Sequence, residues 1–179
     1  MTPSRLSYRA ALMSDAGELM AIHFAAVHSI GTDHYSSAVK LAWSPPPDAT
    51  RQKWLSDLIS QGTVICVVAV LDQKTILGFG IVIPSQAQLK ALYVHPDYSG
   101  SGVGGALLPC VEARCREIGL EMLELKASSN AEAFYRHSGY EAVGPTTQQL
   151  TDDMSMAATQ MVKHLPLSAC SSRQRDAAQ

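Results

Sequence analysis

The chain has 179 residues and a net charge of −2 at pH 7; 46% of its residues are hydrophobic and 17% are charged. This composition suits one globular domain and excludes a wholly disordered chain, which has few apolar residues and much charge. A nucleic-acid-binding protein is disfavoured because no run of Lys and Arg occurs, and no apolar run approaches the roughly 20 residues that span a bilayer.

The first third of the chain predicts one strand followed by three helices. The first helix begins at Ser14 or Asp15, with Glu18 three residues later as in a capping box, and it ends at Gly31. The other predicted elements are a strand over residues 7–11 and helices over 36–43 and 48–60.

The remainder of the chain alternates strands and helices. The predicted strands cover residues 63–71, 76–83, 88–95, 121–126, 140–143 and 154–164, and the predicted helices cover 103–118 and 129–138. Ser129 and Glu132 have the spacing of a second capping box. These elements predict an α/β fold with a mixed, mostly antiparallel central sheet flanked by helices. We expect residues 1–165 to form a single domain and residues 166–179 to form a flexible tail.

A glycine-rich loop lies between a predicted strand and a predicted helix. The strand ends at His95, and Gly100, Gly102 and Gly104 precede or open the helix. Glycine permits backbone conformations that turn N–H groups inward at a helix N-terminus, where the helix dipole also favours an anion. The loop is therefore a candidate pyrophosphate site, the alternative being a tight turn that binds nothing.

The same glycines, together with Gly105, also match the dinucleotide fingerprint G-x-G-x-x-G. We disfavour this interpretation because five residues, 95–99, lie between Val94, the last apolar residue of the strand, and Gly100, whereas the dinucleotide motif turns almost at once. The chain around the loop is also too short for the two βαβ halves of that fold.

Two stretches, residues 92–108 and residues 127–140, resemble the GNAT superfamily of acetyl-CoA-dependent N-acetyltransferases. The family's loop signature, Gln/Arg-x-x-Gly-x-Gly/Ala, falls on residues 99–104, with Ser99 in place of the usual Gln or Arg. The resemblance implies the GNAT fold and acetyl-CoA as the acyl-donor cosubstrate, with no metal. It also implies transfer of an acetyl group to a primary amine by direct attack.

The resemblance further implies a role for individual residues. Backbone groups of Leu92, Tyr93 and Val94 would hold the pantetheine arm, and Asn130 would contact the same arm. Tyr135 would act as the general acid beside the thioester sulfur, the alternative being a packed helix aromatic. The pyrophosphate would be bound by backbone N–H groups of Ser99, Gly100, Ser101, Gly102, Val103 and Gly104.

No clear general base is present, because Lys90 stands where many relatives carry an acid. Asp33 and His34 are the remaining candidates for the general base, and either could act through a water molecule. His23 and His28 are not spaced as metal ligands, and one of them is a candidate for lining the acceptor pocket, against ordinary packing.

The acceptor site is predicted from aromatic residues. Tyr35 and Trp43, with Trp54 beyond them, would form an aromatic acceptor pocket, and core packing is the equal alternative. Such a wall favours a neutral or aromatic amine, or a cation held over a ring.

The sequence supports two candidate functions. The first is an N-acetyltransferase acting on a small-molecule amine; the second is a non-catalytic acyl-CoA-binding or sensing module of the same fold. Because the four cysteines show no CxxC spacing, we expect reduced thiols and a cytoplasmic protein. We expect neither a nucleic-acid nor a membrane partner, and we keep a homodimer open.

Overall fold

Residues 5–166 are described by a computed structural model, and they form one seven-stranded sheet flanked by five α-helices. The strands are β1 (Leu6–Ala10), β2 (Ile65–Leu71), β3 (Thr75–Ile83), β4 (Gln88–Val94), β5 (Met122–Ala127), β6 (Glu141–Thr151) and β7 (Met154–His164). The helices are α1 (Ala16–His28), α2 (Ser37–Trp43), α3 (Ala49–Ser60), α4 (Val103–Glu117) and α5 (Glu132–His137). None of the helices in this part of the chain is long and apolar enough to cross a membrane.

The predicted fold class is confirmed. The strand order is β1-β2-β3-β4-β5-β7-β6, and every neighbouring pair is antiparallel except β4 and β5, which are parallel. The predicted tail, apart from its first residue, lies outside the described residues, as does Cys170.

The strand predicted over residues 140–143 is much longer in the structure, where β6 runs from Glu141 to Thr151. β6 is an edge strand whose residues alternate between exposed and partly buried, and it is rich in Thr and Gln. Its period-2 pattern lacks the apolar residues that normally reveal a strand in sequence. The prediction ended too early for this reason.

The capping box predicted at Asp15 is wrong. The Asp15 carboxylate accepts from the backbone N–H of Leu12 at 2.7 Å and pairs with the Arg9 guanidinium at 2.6 Å, so it joins the start of α1 to β1. Glu18 accepts instead from the backbone N–H of Ile76 at 3.0 Å. Asp15 thus caps the short turn before α1 and pairs with nearby Arg9, whereas Glu18 is taken by a tertiary partner on β3.

The capping box predicted at Ser129 is wrong as well, and α5 begins only at Glu132. The Ser129 hydroxyl lies 3.1 Å from Nδ1 of His34. Glu132 accepts from the Thr159 hydroxyl at 2.7 Å, which fastens α5 to β7. Asp48, by contrast, caps α3 as predicted, because its carboxylate accepts from the N–H of Arg51 at 2.8 Å.

Both faces of the sheet are covered, which explains the continuous apolar run of β2. Val67 and Ala69 face the core that contains α4 and α5, while Cys66, Val68 and Val70 face the core that contains α1 and α3. Burial raises the pKa of the Cys66 thiol to about 12, so this cysteine is an inert core residue. The three cysteines within the described residues are all free thiols.

The sheet opens between β4 and β5. The two strands pair only at Gln88 and Glu124, and they separate beyond that point. The edge of β4 that faces β5 therefore carries backbone N–H and C=O groups without strand partners over residues 89–94.

A β-bulge lies on β4 beside this opening. Val82 of β3 lies opposite Leu89 of β4, and Ile81 lies opposite Ala91. Lys90 is therefore the extra residue of β4, with no partner on β3. A bulge of this kind re-aims the side chain that it carries.

A buried ion pair joins α4 to β7. Both oxygens of Glu112 accept from Nζ of Lys163 at 2.8 Å, and the Glu112 side chain is only 3% exposed. Arg116, one turn along α4, lies 3.5 Å from the same carboxylate. The charge of Glu112 is stable in this position only because these cations compensate it.

We expect Lys163→Met to lower the free energy of unfolding by about 3 kcal/mol, because it leaves Glu112 buried with Arg116 alone. Adding Glu112→Leu should recover much of the loss, since the uncompensated charge is then gone. Lys53→Met, which breaks an exposed pair with Asp57, should cost less than about 1 kcal/mol. Urea unfolding measures all three, and equal losses for Lys163→Met and Lys53→Met would contradict the expectation.

Candidate functional site

Three adjoining cavities occupy the region where β4 and β5 separate. The cleft cavity, of about 430 Å³, lies between the two strands and reaches the end of α1 and the start of α5. The loop cavity, of about 490 Å³, lies beside the glycine loop. The aromatic cavity, of about 470 Å³, lies on the opposite face of the sheet, among α1, α3 and β6.

The cleft cavity adjoins the other two and shares wall residues with each. With the loop cavity it shares Leu92, Val94, Ser99, Asn130, Ala131 and Tyr135. With the aromatic cavity it shares Trp43, Lys90, Ala91, Tyr93 and Lys126. The three cavities therefore form a row from the glycine loop to the far face of the sheet.

The glycine loop presents a row of free backbone donors at the N-terminus of α4. Gly100 and Gly102 have φ of +74° and +87°, which L side chains rarely adopt, and Gly102 is the N-cap of the helix. Within the described chain, no acceptor is found for the backbone N–H groups of residues 100, 102, 103, 104 and 105. α4 is 15 residues long, so its dipole adds to this anion-binding arrangement.

Two of the predicted phosphate donors are used inside the loop instead. The N–H of Ser99 donates to the carbonyl of Pro96 at 3.0 Å, and the N–H of Ser101 donates to the carbonyl of Tyr98 at 3.3 Å. The Ser101 hydroxyl also donates to Tyr98. The available donors therefore belong to Gly100, Gly102, Val103 and Gly104, with Gly105 beyond the predicted set.

The three residues predicted to hold a pantetheine arm lie on the open edge of β4. The side chains of Leu92 and Val94 border the cleft and loop cavities, whereas Tyr93 borders the cleft and aromatic cavities. Asn130 borders the cleft and loop cavities from the segment before α5. Backbone edge and amide side chain thus face each other across the opening.

Tyr135 lies where the cleft and loop cavities meet. Its side chain is buried, and its hydroxyl forms no hydrogen bond with any described residue. Burial raises the pKa of the Tyr135 phenol above its usual value near 10, and the neighbouring Tyr93 raises it further. The phenol is therefore protonated at neutral pH and has a hydrogen to donate.

Of the two predicted bases, only His34 borders a cavity. His34 borders the cleft cavity, and its Nδ1 lies 3.1 Å from the Ser129 hydroxyl. Asp33 borders none of the three cavities, and its side chain is 80% exposed. Its carboxylate lies 3.8 Å from Nε2 of His34.

The two predicted acceptor residues pack against each other, with ring centroids 5.7 Å apart, but only one of them lines a cavity. Trp43 borders the cleft and aromatic cavities, and its Nε1 donates to the Tyr93 hydroxyl at 3.1 Å. Tyr35 borders none of the three. Its hydroxyl accepts from the N–H of Ser129 at 2.8 Å and donates to the carbonyl of Ala157 at 3.0 Å. Tyr35 therefore supports the β5–α5 segment rather than the cavity wall.

His23 lines the aromatic cavity from α1. Its ring lies 4.5 Å from the Tyr93 ring, and its Nδ1 lies 3.2 Å from the hydroxyl of buried Ser44. Burial lowers the pKa of His23 to about 4, and the charges of Arg51 and His28 lower it further. His23 is a neutral imidazole at physiological pH.

Sequence patterns did not reveal the charged lining of the cavities. Arg51, on α3, and Lys126, on β5, border the aromatic cavity, yet both look like ordinary surface residues in sequence. No Asp or Glu borders any of the three cavities in the described part of the chain. Nor do residues 5–166 bring together three or more His, Cys, Asp or Glu side chains that would hold a metal ion.

The low pKa of His23 makes stability depend on pH. Between pH 6.5 and about 4 the unfolded chain binds a proton at this histidine that the folded chain does not, so stability falls as the pH falls through this window. We expect His23→Gln to flatten that dependence by up to about 1.4 kcal/mol per pH unit. Urea unfolding between pH 7 and pH 4 measures the slope, and an unchanged slope would refute the assignment.

Comparisons with known proteins agree with this geometry. The acetyltransferase (GNAT) domain family matches residues 44–163. A sequence relative, the aminoglycoside N(6')-acetyltransferase type 1 of Stenotrophomonas maltophilia, is 41% identical over 56 residues, which cover 31% of this chain and 35% of the relative. The chain also matches 59% of the length of streptococcal uncharacterized acetyltransferases. These sequence matches thus cover less than two thirds of each relative.

Solved structures match over nearly the whole chain. A GCN5-related N-acetyltransferase from Rhodopseudomonas palustris has a TM-score of 0.78 and 31% identity, and the match covers 92% of this chain and 99% of that one. A phosphinothricin acetyltransferase from Sinorhizobium meliloti, in complex with acetyl-CoA, has a TM-score of 0.67 and 19% identity over 89% of this chain and 88% of that one. The chain belongs to the GNAT family of acetyltransferases.

Proposed function

We propose that this acetyltransferase moves the acetyl group of acetyl-CoA to a primary amine of a small molecule by direct attack. The observation that carries the proposal is the row of three adjoining cavities, called the passage here, at the place where β4 and β5 separate. It runs from the free N–H groups of the glycine loop, past Tyr135, to the aromatic cavity on the other face. A long anionic donor and a separate acceptor can meet within it.

The residues on the α4 side fit acetyl-CoA. The N–H groups of Gly100, Gly102, Val103 and Gly104 suit a pyrophosphate, because free backbone donors at a helix N-terminus bind anions without a cationic side chain. The open edge of β4 over residues 92–94 suits the amide groups of the pantetheine arm, as an added strand would. Asn130 faces the same passage.

The thioester supplies an activated acetyl group when it is bound. The protein's own side chains supply a proton to the sulfur and accept one from the amine. We assign Tyr135 as the group that gives its phenol proton to the departing sulfur, because it borders the cleft and its hydroxyl hydrogen has no acceptor among the described residues. His34 borders the cleft and is the proposed proton acceptor for the amine. Asp33 is the second candidate; it is exposed and would have to act through water or through His34.

The small-molecule acceptor is supported by the size of the aromatic cavity, about 470 Å³, where Trp43 and Trp54 form part of the wall. Two relatives are named for small acceptors, an aminoglycoside and phosphinothricin. The proposed catalytic unit is the single domain of residues 1–165. A cytoplasmic location and a homodimer stay predictions from the sequence.

A non-catalytic acyl-CoA-binding module is the second candidate function. It is favoured by Ser99, which replaces the family's usual Gln or Arg, and by the absence of any carboxylate base in the described cavity walls. An assay of thiol release from acetyl-CoA with a panel of amines separates the two. Binding of acetyl-CoA without release by any amine favours the module.

We expect Tyr135→Phe to lower kcat by roughly 10²-fold or more, because it removes the proton donor while it keeps the ring. The affinity for acetyl-CoA should barely change. Tyr140→Phe is the matched control: it also removes a buried hydroxyl, on a ring that lies 5.6 Å from that of Tyr135. Full activity of Tyr135→Phe, or an equal loss in both variants, would show that Tyr135 is a packing residue.

We expect Gly102→Ala to weaken acetyl-CoA binding by roughly tenfold or more, because it strains the loop that aims the N–H groups. Gly119→Ala is the matched control. Gly119 has a similar φ of +82° against +87°, neither Cβ would meet a protein atom within 4 Å, and Gly119 lies at the opposite end of α4. Calorimetry that finds equal affinities for the two variants would contradict the loop assignment.

A further inference from the structure

The far end of the passage has a one-sided charge distribution. Three cationic side chains, Arg51, Lys90 and Lys126, border the aromatic cavity, and the latter two also border the cleft. Among the described residues that line these two cavities there is no Asp or Glu. The lowered pKa of His23, to which Arg51 contributes, agrees with a positive potential at this place.

The three cationic side chains differ in whether they already have a hydrogen-bond partner in the protein. Nη1 of Arg51 donates to the carbonyl of Pro45 at 2.6 Å, and Nζ of Lys126 donates to the carbonyl of Thr147 at 2.8 Å. Lys90 forms neither a hydrogen bond nor an ion pair with any residue between 5 and 166. Its ammonium group is therefore available to a ligand.

An irregularity in the backbone of the sheet sets the position of Lys90. Lys90 is the extra residue of the β4 bulge, and it borders both the cleft cavity and the aromatic cavity. An ordinary surface lysine needs no irregularity of the backbone to reach solvent. The bulge directs this side chain to the junction of the two cavities.

The rest of the aromatic cavity is mainly apolar. Its walls include the rings of Trp43, Trp54 and Tyr93 and the aliphatic side chains Leu55 and Leu58. Trp54 is 58% exposed, which is unusual for so large an apolar ring without a bound partner. Burying the apolar body of a ligand against such walls stabilises the complex.

We propose that the acceptor is a primary amine that carries a carboxylate and an apolar body, with Lys90 as the main anchor of the carboxylate. This inference rests on the proposed acetyl transfer and names its acceptor class. Arg51 and Lys126 add to the positive field, and the aromatic rings cover the apolar body. An amino acid with an apolar side chain has all three features.

The same field prepares the amine for reaction. An amine attacks only in its neutral form, and nearby positive charge lowers the pKa of a bound ammonium group. A cavity without carboxylates therefore holds the anionic end of the acceptor and favours loss of the proton at its amino end. A strong base is less necessary in such a cavity than in one lined by acids.

A polycation is excluded on the same grounds. An aminoglycoside would bring several ammonium groups to a wall that has three cations and no carboxylate to receive them. The like charges of the ligand and the wall would repel each other, and dissolved salt would weaken that repulsion only in part. The relative that is named for an aminoglycoside therefore does not predict the acceptor of this chain.

The test uses three acceptors that share a phenyl body and a primary amine: L-phenylalanine, L-phenylalaninamide and 2-phenylethylamine, with kanamycin as the polycation. L-Methionine and its amide repeat the comparison with another apolar body. Thiol release gives kcat/KM, and binding of each acceptor to the protein with CoA is measured separately by calorimetry at low salt. We expect each carboxylate form to be preferred roughly tenfold or more.

Lys90→Met should remove most of that preference, because the carboxylate loses its main anchor. Lys74→Met is the matched control, because Lys74 is exposed on the β2–β3 turn and borders none of the three cavities. It makes the same change of charge and should leave the preference intact.

The outcomes separate the two proposals. Equal or better use of the amides, phenylethylamine or kanamycin overturns the carboxylate inference while acetyl transfer stands. Carboxylate-dependent binding that needs Lys90, without thiol release from any acceptor, supports the anion site and overturns acetyl transfer. A Lys90→Met variant that retains the carboxylate preference, or carboxylate forms that do not bind at all, overturns the inference.

Discussion

The separation of β4 from β5 is the constraint on which the site depends. A parallel pair normally continues its ladder, but here it ends after Gln88 and Glu124. The open edge leaves polar backbone groups that water or a ligand must satisfy. It also brings the loop cavity on the α4 face, with its free N–H groups, close to the aromatic cavity on the face of α1 and α3. In the proposed function, donor and acceptor lie on opposite faces of one sheet.

The opening is held by contacts that come from distant parts of the chain. The Tyr35 hydroxyl joins the segment before α5 to β7, and Glu132 joins α5 itself to β7. Trp43 and Tyr93 are joined by a hydrogen bond across the other side of the gap. These contacts fix the walls independently of each other, so the width of the passage does not rely on pairing between the two strands.

The environment of the site favours uncharged proton carriers. Burial raises the pKa of both Tyr93 and Tyr135, and it lowers that of His23. A tyrosine is already neutral near pH 7, and burial makes its ionisation harder still; for His23 burial removes the charge, because placing a charge away from water is costly. The charges that do occur belong to side chains at the rim. A neutral interior with a cationic rim suits the transfer of a neutral acetyl group to an amine that is anchored by an anion.

The sequence by itself determined the order of the elements, the fold class and the glycine loop, because apolar periodicity and glycine act through neighbouring residues. It also placed Tyr135 and Asn130 beside the loop through family resemblance. Only the tertiary structure decided where the polar side chains went. Glu18 binds a backbone group 58 residues away, and Tyr35 binds one 122 residues away. Lys90 faces the passage because of strand register. Such partners are set by packing across the sheet, and no local pattern contains them.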